Sequence, residues 1–399
     1  MSGPGRTICI AGAGIAGLTL ALALAKYGAN VIVLERNRTP SEFGAGLQLS
    51  PNARRVFDRL GLAEAIAERS LEPGGIDVYP FGRTAPLVTL ELGTAARDRF
   101  GSPYAVMHRA DLADLLLKAC KRFANIDLVF GAAAYTAASD QGGVTIASEA
   151  LTQHGRSGRA FALVGADGVH SLTRTSLLGG PGAHYAGRLA WRTLIPIEKA
   201  EGLLALDRTS LFLSPGVHLV AYPLPYRGVV NVVLFSKAVA QEASARPARL
   251  GVLQSALSKP MQALVAAADG WTAWPIYTVE TARWHRGNIG LIGDAAHAML
   301  PFQAQGAAMA IEDAATLAPL LMESHSADAA FREYERLRRP RIQRVARVSE
   351  ANGRIFHMSW PLTMGRDVVM RLQGSRGHFR RLGWLYDFEA TAQQRGPLG

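Results

Sequence analysis

Apolar and polar positions change their period along the chain, and each change marks an element. Residues 7–11 (TICIA) are a short apolar run, residues 15–27 are rich in alanine and leucine without proline, and residues 30–34 are apolar again. That order predicts strand, helix, strand. Across 44–70 a glycine turn leads into two amphipathic helical patterns, the first opened by Ser50 as N-cap and Pro51 as first helical residue. Residues 73–100 hold more Gly, Pro and β-formers and are expected as strands. Residues 107–123 are expected as a helix with Arg109 and Asp111 in its first turn. An arginine there opposes the helix dipole and calls for an anion. After short strands between 126 and 146, residues 161–179 give a strand ending at Asp167-Gly168, then a helical start at Ser171 and Arg174. WRTLIPI, SLFLSPGVHLVAYPL and GVVNVVLF, within 185–280, predict a separate sheet with turns at Pro215-Gly216 and Arg227-Gly228. Strand, turn and long helix return over 287–321. In 331–354, Ile342, Val345 and Val348 recur at helical spacing among eight arginines and three acids. This predicts a docked helix, interrupted by Pro340, with a basic outer face.

The first strand–helix–strand unit carries Gly12, Gly14 and Gly17 in the G-x-G-x-x-G register. Gly12 permits the tight turn, Gly14 lets a pyrophosphate approach the backbone, and Gly17 lets the helix lie close on the strand. The helix N-terminus then offers free N–H groups to an anion. Glu35 closes the second strand 18 positions after Gly17. Its carboxylate can accept ribose hydroxyls and would repel a 2′-phosphate, which favours FAD or NAD over NADP. Residues 7–25 carry no charge and imitate a signal peptide or a membrane span. Three glycines at motif spacing, and the strand that cleavage after Ala25 would orphan, argue against both.

At 399 residues the chain holds two domains or one elaborated one. Its two cysteines, Cys9 and Cys120, are scattered in apolar elements, which is no disulfide framework and fits a reducing cytoplasm. The formal charge of +11 suits anionic cofactors and aromatic acids as well as nucleic acid. The arginine-rich segment lacks interleaved aromatics, so no nucleic-acid partner is expected. Asp294 and His297 lack further ligands, so no metal is expected either.

Three separated motifs, G12-A-G-I-A-G17 with Glu35, G165-A-D-G-V-H-S-L-T-R174 and G293-D-A-A-H-A-M-L-P-F-Q-A-Q-G306, occur in the order of a known family. Together they resemble the flavoprotein aromatic hydroxylases, the single-component FAD monooxygenases, and most of all the salicylate hydroxylase and 3-hydroxybenzoate 6-hydroxylase type. The resemblance implies an α/β fold. A Rossmann-like, glutathione-reductase-like FAD domain would comprise 1–75, 101–180 and 281–340, a β-sheet substrate domain 76–100 and 181–280, and C-terminal helices 341–399. FAD would be held by Gly12, Gly14, Ile15, Ala16, Gly17, Glu35, Arg36, Gln48, Arg109, Asp167, Gly168, Gly293, Asp294, Pro301, Gly306 and Ala307. Arg109 would sit against the pyrophosphate, and Asp294, ending a strand, would accept ribityl hydroxyls. NAD(P)H, for which no second glycine motif exists, would be a transient co-substrate. Dioxygen would be activated as a flavin C4a-hydroperoxide to hydroxylate a small aromatic acid or phenol. His218 is the expected phenol base, four residues from Tyr222 on one strand face. Tyr104 and Gln303 would contact the substrate, and Pro301 the flavin face. A ubiquinone-pathway ring hydroxylase and a non-catalytic flavin-binding protein are the alternatives, and a homodimer is left open.

Overall fold

In the computed structural model, which describes residues 5–39, 45–238, 253 and 255–390, the first apolar run forms β1 (Thr7–Ala11), followed by α1 (Ile15–Lys26) and β2 (Asn30–Glu35). Gly44, at the start of the expected glycine turn, lies outside the described residues, as does 391–399 of the expected C-terminal segment. The chain continues through β3 (Gly46–Leu49), α2 (Pro51–Arg59), β4 (Gly75–Tyr79) and β5 (Val88–Glu91). Then come α3 (Gly93–Phe100), β6 (Ala105–His108), α4 (Arg109–Cys120), β7 (Ile126–Phe130) and β8 (Ala162–Gly165). Long antiparallel strands follow: β9 (His184–Pro196), β10 (Thr209–Ser214), β11 (Val217–Leu224), β12 (Val229–Lys237) and β13 (Thr272–Thr278). The last part holds β14 (His285–Arg286), β15 (Ile289–Leu291), α5 (Asp294–His297), α6 (Gly306–Glu323), α7 (Ala327–Phe356) and α8 (Leu362–Tyr386).

Two sheets organise these elements. One has the order β14-β15-β8-β1-β2-β7, parallel except for β14. Ile8, Ile10, Val31, Val33 and Val164 are almost wholly buried in it, which explains why its strands read as continuous apolar runs. β1 is flanked by β2 and β8, so the strand order reverses at its C-terminal end, where open α/β sheets take their ligands. The other sheet has the order β13-β9-β12-β11-β10-β4-β5, bringing residues 75–91 beside 184–278. Its registers align His218 with Phe235 and Ala190, and Val220 with Val233 and Arg192. One face therefore carries His218, Val220 and Tyr222 together.

Four local expectations are corrected. Gly93–Phe100 is helical where strands were expected, burying Ala96 and Phe100 and ending at Gly101 with φ +67°. Met107 and His108 belong to β6 rather than to the next helix, whose N-cap is His108, with Nδ1 accepting from the Ala110 N–H at 3.2 Å. Pro340 does not interrupt α7, a continuous helix of 30 residues. Nor is the basic face of α7 wholly outward, because Arg338 is fully buried and Arg341 nearly so.

Candidate active site

A cavity of about 1800 Å³ runs from the glycine turn after β1 to the His218 face of the second sheet. Ordinary small-molecule pockets measure roughly 300–1,000 Å³, so this one has room for a dinucleotide and a second ligand. Gly12, Gly14, Ile15, Ala16, Glu35, Arg36, Gln48, Arg109, Asp167, Gly168, Asp294, Pro301, Gly306 and Ala307 all line it, as do Tyr104, His218, Tyr222 and Gln303. Gly17 and Gly293 stand behind this surface. A Cβ on Gly17 would lie 1.9 Å from the Gly12 carbonyl oxygen, so this glycine serves helix–strand packing. Gly293 has φ +59° and donates its N–H to Asp313 Oδ2 at 2.9 Å.

The residues at the β1 end fit FAD. Beside Gly14 and Gly306 a Cβ would meet nothing within 4 Å, leaving both backbones open to a ligand. They sit at the N-termini of α1 and α6, where unpaired N–H groups favour negative charge. Glu35 accepts the Ala13 N–H on one carboxylate oxygen and the Asn37 N–H on the other, both at 3.0 Å. That fixes the carboxylate and leaves each oxygen a further lone pair for a ribose hydroxyl. The side chains of Arg109 and Asp294 are exposed to the cavity and have no hydrogen-bond or ion-pair partner among the described residues. Asp167 is different. Its carboxylate accepts from Ser171 Oγ at 2.5 Å and the Thr173 N–H at 2.9 Å, and Arg174, fully buried, donates to the Val169, Pro181 and Ala295 carbonyls. This pair braces the loop, and the backbone at Gly168, with φ +77°, faces the cavity.

Glu35→Ala is expected to weaken FAD by about one to two decades, since about 1.5–3 kcal/mol of charge-assisted hydrogen bonding is lost. Titrating FAD back into stripped protein and following flavin fluorescence measures this directly. An unchanged Kd would remove Glu35 from the ribose site.

At the sheet end, His218 is buried and stacked on Phe235 with ring centroids 4.6 Å apart, and Phe302 and Phe356 meet its ring at steep angles. Its Nδ1 lies 2.7 Å from Nε2 of His357, the residue after α7. Tyr222 shares the strand face but lies four residues on, about 13 Å along the backbone. The two therefore serve different ends of the cavity. Burial raises the Tyr222 and Tyr104 hydroxyls well above the usual tyrosine value, so both are donors at neutral pH. Tyr104 donates to Gln48 Oε1, and Gln303 Oε1 accepts from Asn352.

Sequence reasoning missed three participants: His357, Arg188 and Arg192. Arg192 lines the cavity with its guanidinium over Trp274 and has no hydrogen-bond or ion-pair partner among the described residues; its Nε is buried and unsatisfied. Burial, with Arg109 nearby, lowers its pKa. A charged residue inside the apolar strand WRTLIPI was the available signal. His357 and Arg188 gave none, because only the fold brings them to His218.

The chain belongs to the FAD binding domain family, which matches residues 6–349. It is 34% identical to a 3-amino-4-hydroxybenzoate 2-monooxygenase of Streptomyces platensis, over 96% of each chain. It is 32% identical to a 3-hydroxybenzoate 6-hydroxylase of Aquipseudomonas alcaligenes, over 98% of this chain and all of that one. The structure of HpxO from Klebsiella pneumoniae, complexed with FAD and uric acid, superposes with a TM-score of 0.82 at 26% identity, covering 99% of this chain and 98% of that one. The protein is thus an FAD-dependent monooxygenase of the aromatic hydroxylase type. Among the described residues no helix is long and apolar enough to cross a membrane, and no group of His, Cys, Asp or Glu could hold a metal ion.

Proposed function

We propose that the protein hydroxylates a small aromatic acid bearing a phenol, consuming NAD(P)H and dioxygen. The observation that carries this reading is the single cavity that joins an FAD cradle to an aromatic-walled sheet face holding an unpaired arginine. Bound FAD supplies the redox chemistry, relaying reducing equivalents from NAD(P)H to dioxygen. The chain's own residues do the rest. Arg192 offers its guanidinium to a carboxylate, and a partnered buried cation costs far less than a lone one. Phe235, Phe302 and Phe356, packed around His218 and lining the cavity, offer an apolar wall that would keep water from a bound aromatic ring. Pro301, Gln303 and Asn352 line the same cavity. Cys9 and Cys120, free and buried, fit a reducing cytoplasm.

An exposed apolar run around the start of α8, including Trp360, Leu362, Met364 and Leu372, favours a second reading, in which the ring carries an alkyl tail. A panel of hydroxybenzoates, hydroxypyridine carboxylates and prenylated phenols, each tested for acceleration of NAD(P)H oxidation and for hydroxylated product, separates the two. A hydroxybenzoate is expected to accelerate oxidation and to be recovered hydroxylated. Equal oxidation rates with every compound and with none would sink both.

A further inference from the structure

His218 belongs to a hydrogen-bonded chain whose direction is fixed at one end. Arg188, on β9, donates and never accepts, because its guanidinium stays protonated. Its Nη1 lies 3.0 Å from His357 Nδ1, so that nitrogen must be the acceptor. Burial, with Arg188 and Lys237 nearby, pushes His357 down to about 4. Burial, with His357 and Arg188 nearby, pushes His218 well below its ordinary value, so both rings are neutral near pH 7. A neutral imidazole carries one proton, donating through one nitrogen and accepting through the other. With Nδ1 accepting, His357 carries its proton on Nε2 and gives that hydrogen bond to His218 Nδ1, 2.7 Å away. The proton of His218 is then on Nε2. That nitrogen has no partner among the described residues, in a side chain 1% exposed that lines the cavity.

We propose that Arg188 and His357 are positioning residues that lock His218 as a hydrogen-bond donor into the cavity, so that the group it meets is an anionic oxygen, the phenolate of the aromatic acid. This rests on the cavity being the substrate site. The opposite polarity, needed for His218 to take a proton at Nε2 and pass its Nδ1 proton onward, would leave His357 Nδ1–H facing an Arg188 N–H, two donors without an acceptor. The phenol O–H is instead broken as substrate binds. Its proton leaves to solvent and the electron pair stays on oxygen, where it can feed the ring. In place of the base expected from sequence, the histidine stabilises the charge that makes the ring reactive.

Selective ¹⁵N-histidine labelling of the FAD-loaded protein, with long-range proton–nitrogen spectra, reads the tautomers directly. His218 and His357 are both expected as Nε2–H forms across the neutral range. Arg188→Met removes the fixed donor and should let the Nδ1–H form of His218 appear, whereas His357→Gln preserves the direction, its amide oxygen accepting from Arg188 and its amide N–H donating to His218. As a second readout, the absorbance of bound 4-hydroxy-3-nitrobenzoate reports phenol ionisation. Its apparent pKa should be about one to two units lower in wild type and His357→Gln than in Arg188→Met. Wild-type His218 carrying Nδ1–H, or equal probe pKa values in all three proteins, overturns the proposal. Should Arg188→Met not fold, the wild-type spectrum alone decides. Failure of every hydroxybenzoate to bind while His218 is the Nε2–H form would instead overturn the reading of the cavity.

Discussion

Replacing Arg338 by methionine is expected to destabilise the protein by about 3–5 kcal/mol and to loosen FAD, although residue 338 does not line the cavity. Arg338 is fully buried and donates to Glu312 at 2.5 Å and to Asp313 at 2.8 Å. Arg341 also holds Glu312, through bonds of 2.7 and 2.8 Å, and Asn52 donates to it at 2.6 Å. Asp313 accepts from the Gly293 N–H at 2.9 Å and meets His297 Nε2 at 2.6 Å, which brackets Asp294 between two of its contacts. Removing the guanidinium leaves carboxylates in the core with too little positive charge. Asp313 would then shift, and the loop carrying Asp294 with it. Thermal unfolding of the stripped protein and FAD titration test the two parts separately. Stability and FAD affinity both equal to wild type would show that the network is not coupled to the loop.

The same network sets an acid limit. Burial alone would raise Glu312 and Asp313, but Arg338, Arg341 and Asn52 at Glu312, and His297 and then Arg338 at Asp313, outweigh it and hold both below the usual carboxylate range. A carboxylate whose folded pKa is depressed contributes its full stability above its unfolded pKa, about 4. That contribution is lost as pH falls further toward the folded values. Urea midpoints measured from pH 7 down to pH 3 should therefore fall in two stages, first below about pH 6.5, where the unfolded chain protonates the histidines that the fold keeps neutral, His218 and His357, and again below about pH 4, where the carboxylate contribution goes. Arg338→Met should show a weaker drop.

What the sequence disclosed about this molecule was local. Gly12, Gly14, Gly17 and Glu35 sit within one strand–helix–strand unit, so their spacing alone implies the turn, the close packing and the ribose carboxylate. The strands of the second sheet announced themselves by β-formers and turn residues, and the registers then put His218 and Tyr222 on one face. Short-range competition was harder to read. The segment GTAARDRF forms α3 because Ala96 and Phe100 find a core beneath them, a tertiary reward absent from the residue list. The inward turn of Arg338 was equally hidden. Its carboxylate partners lie on α6, 25 and 26 residues earlier, and helical period alone places arginines in solvent. The Arg188–His357–His218 chain spans three segments up to 169 residues apart and had no sequence signature.

His218→Ala is expected to lower hydroxylation by about 10- to 10²-fold, the value of a hydrogen bond to a charged oxygen, while NAD(P)H oxidation continues and its electrons emerge as hydrogen peroxide. A general base would cost more, roughly 10²–10⁴-fold, and its loss would be repaired at high pH, where the phenol ionises unaided near pH 10. The donor role makes the opposite forecast. At high pH the mutant still lacks the bond to the phenolate, so its KM should stay raised there. His218→Gln sharpens the contrast, since an amide can donate to the phenolate but cannot act as a base in this range. Glutamine should retain most of the product yield that alanine loses. Product yield per NAD(P)H and KM, measured across pH for the three proteins, decide the matter. If glutamine is as poor as alanine and both recover at high pH, the histidine removes a proton and the polarity imposed by Arg188 does not survive substrate binding.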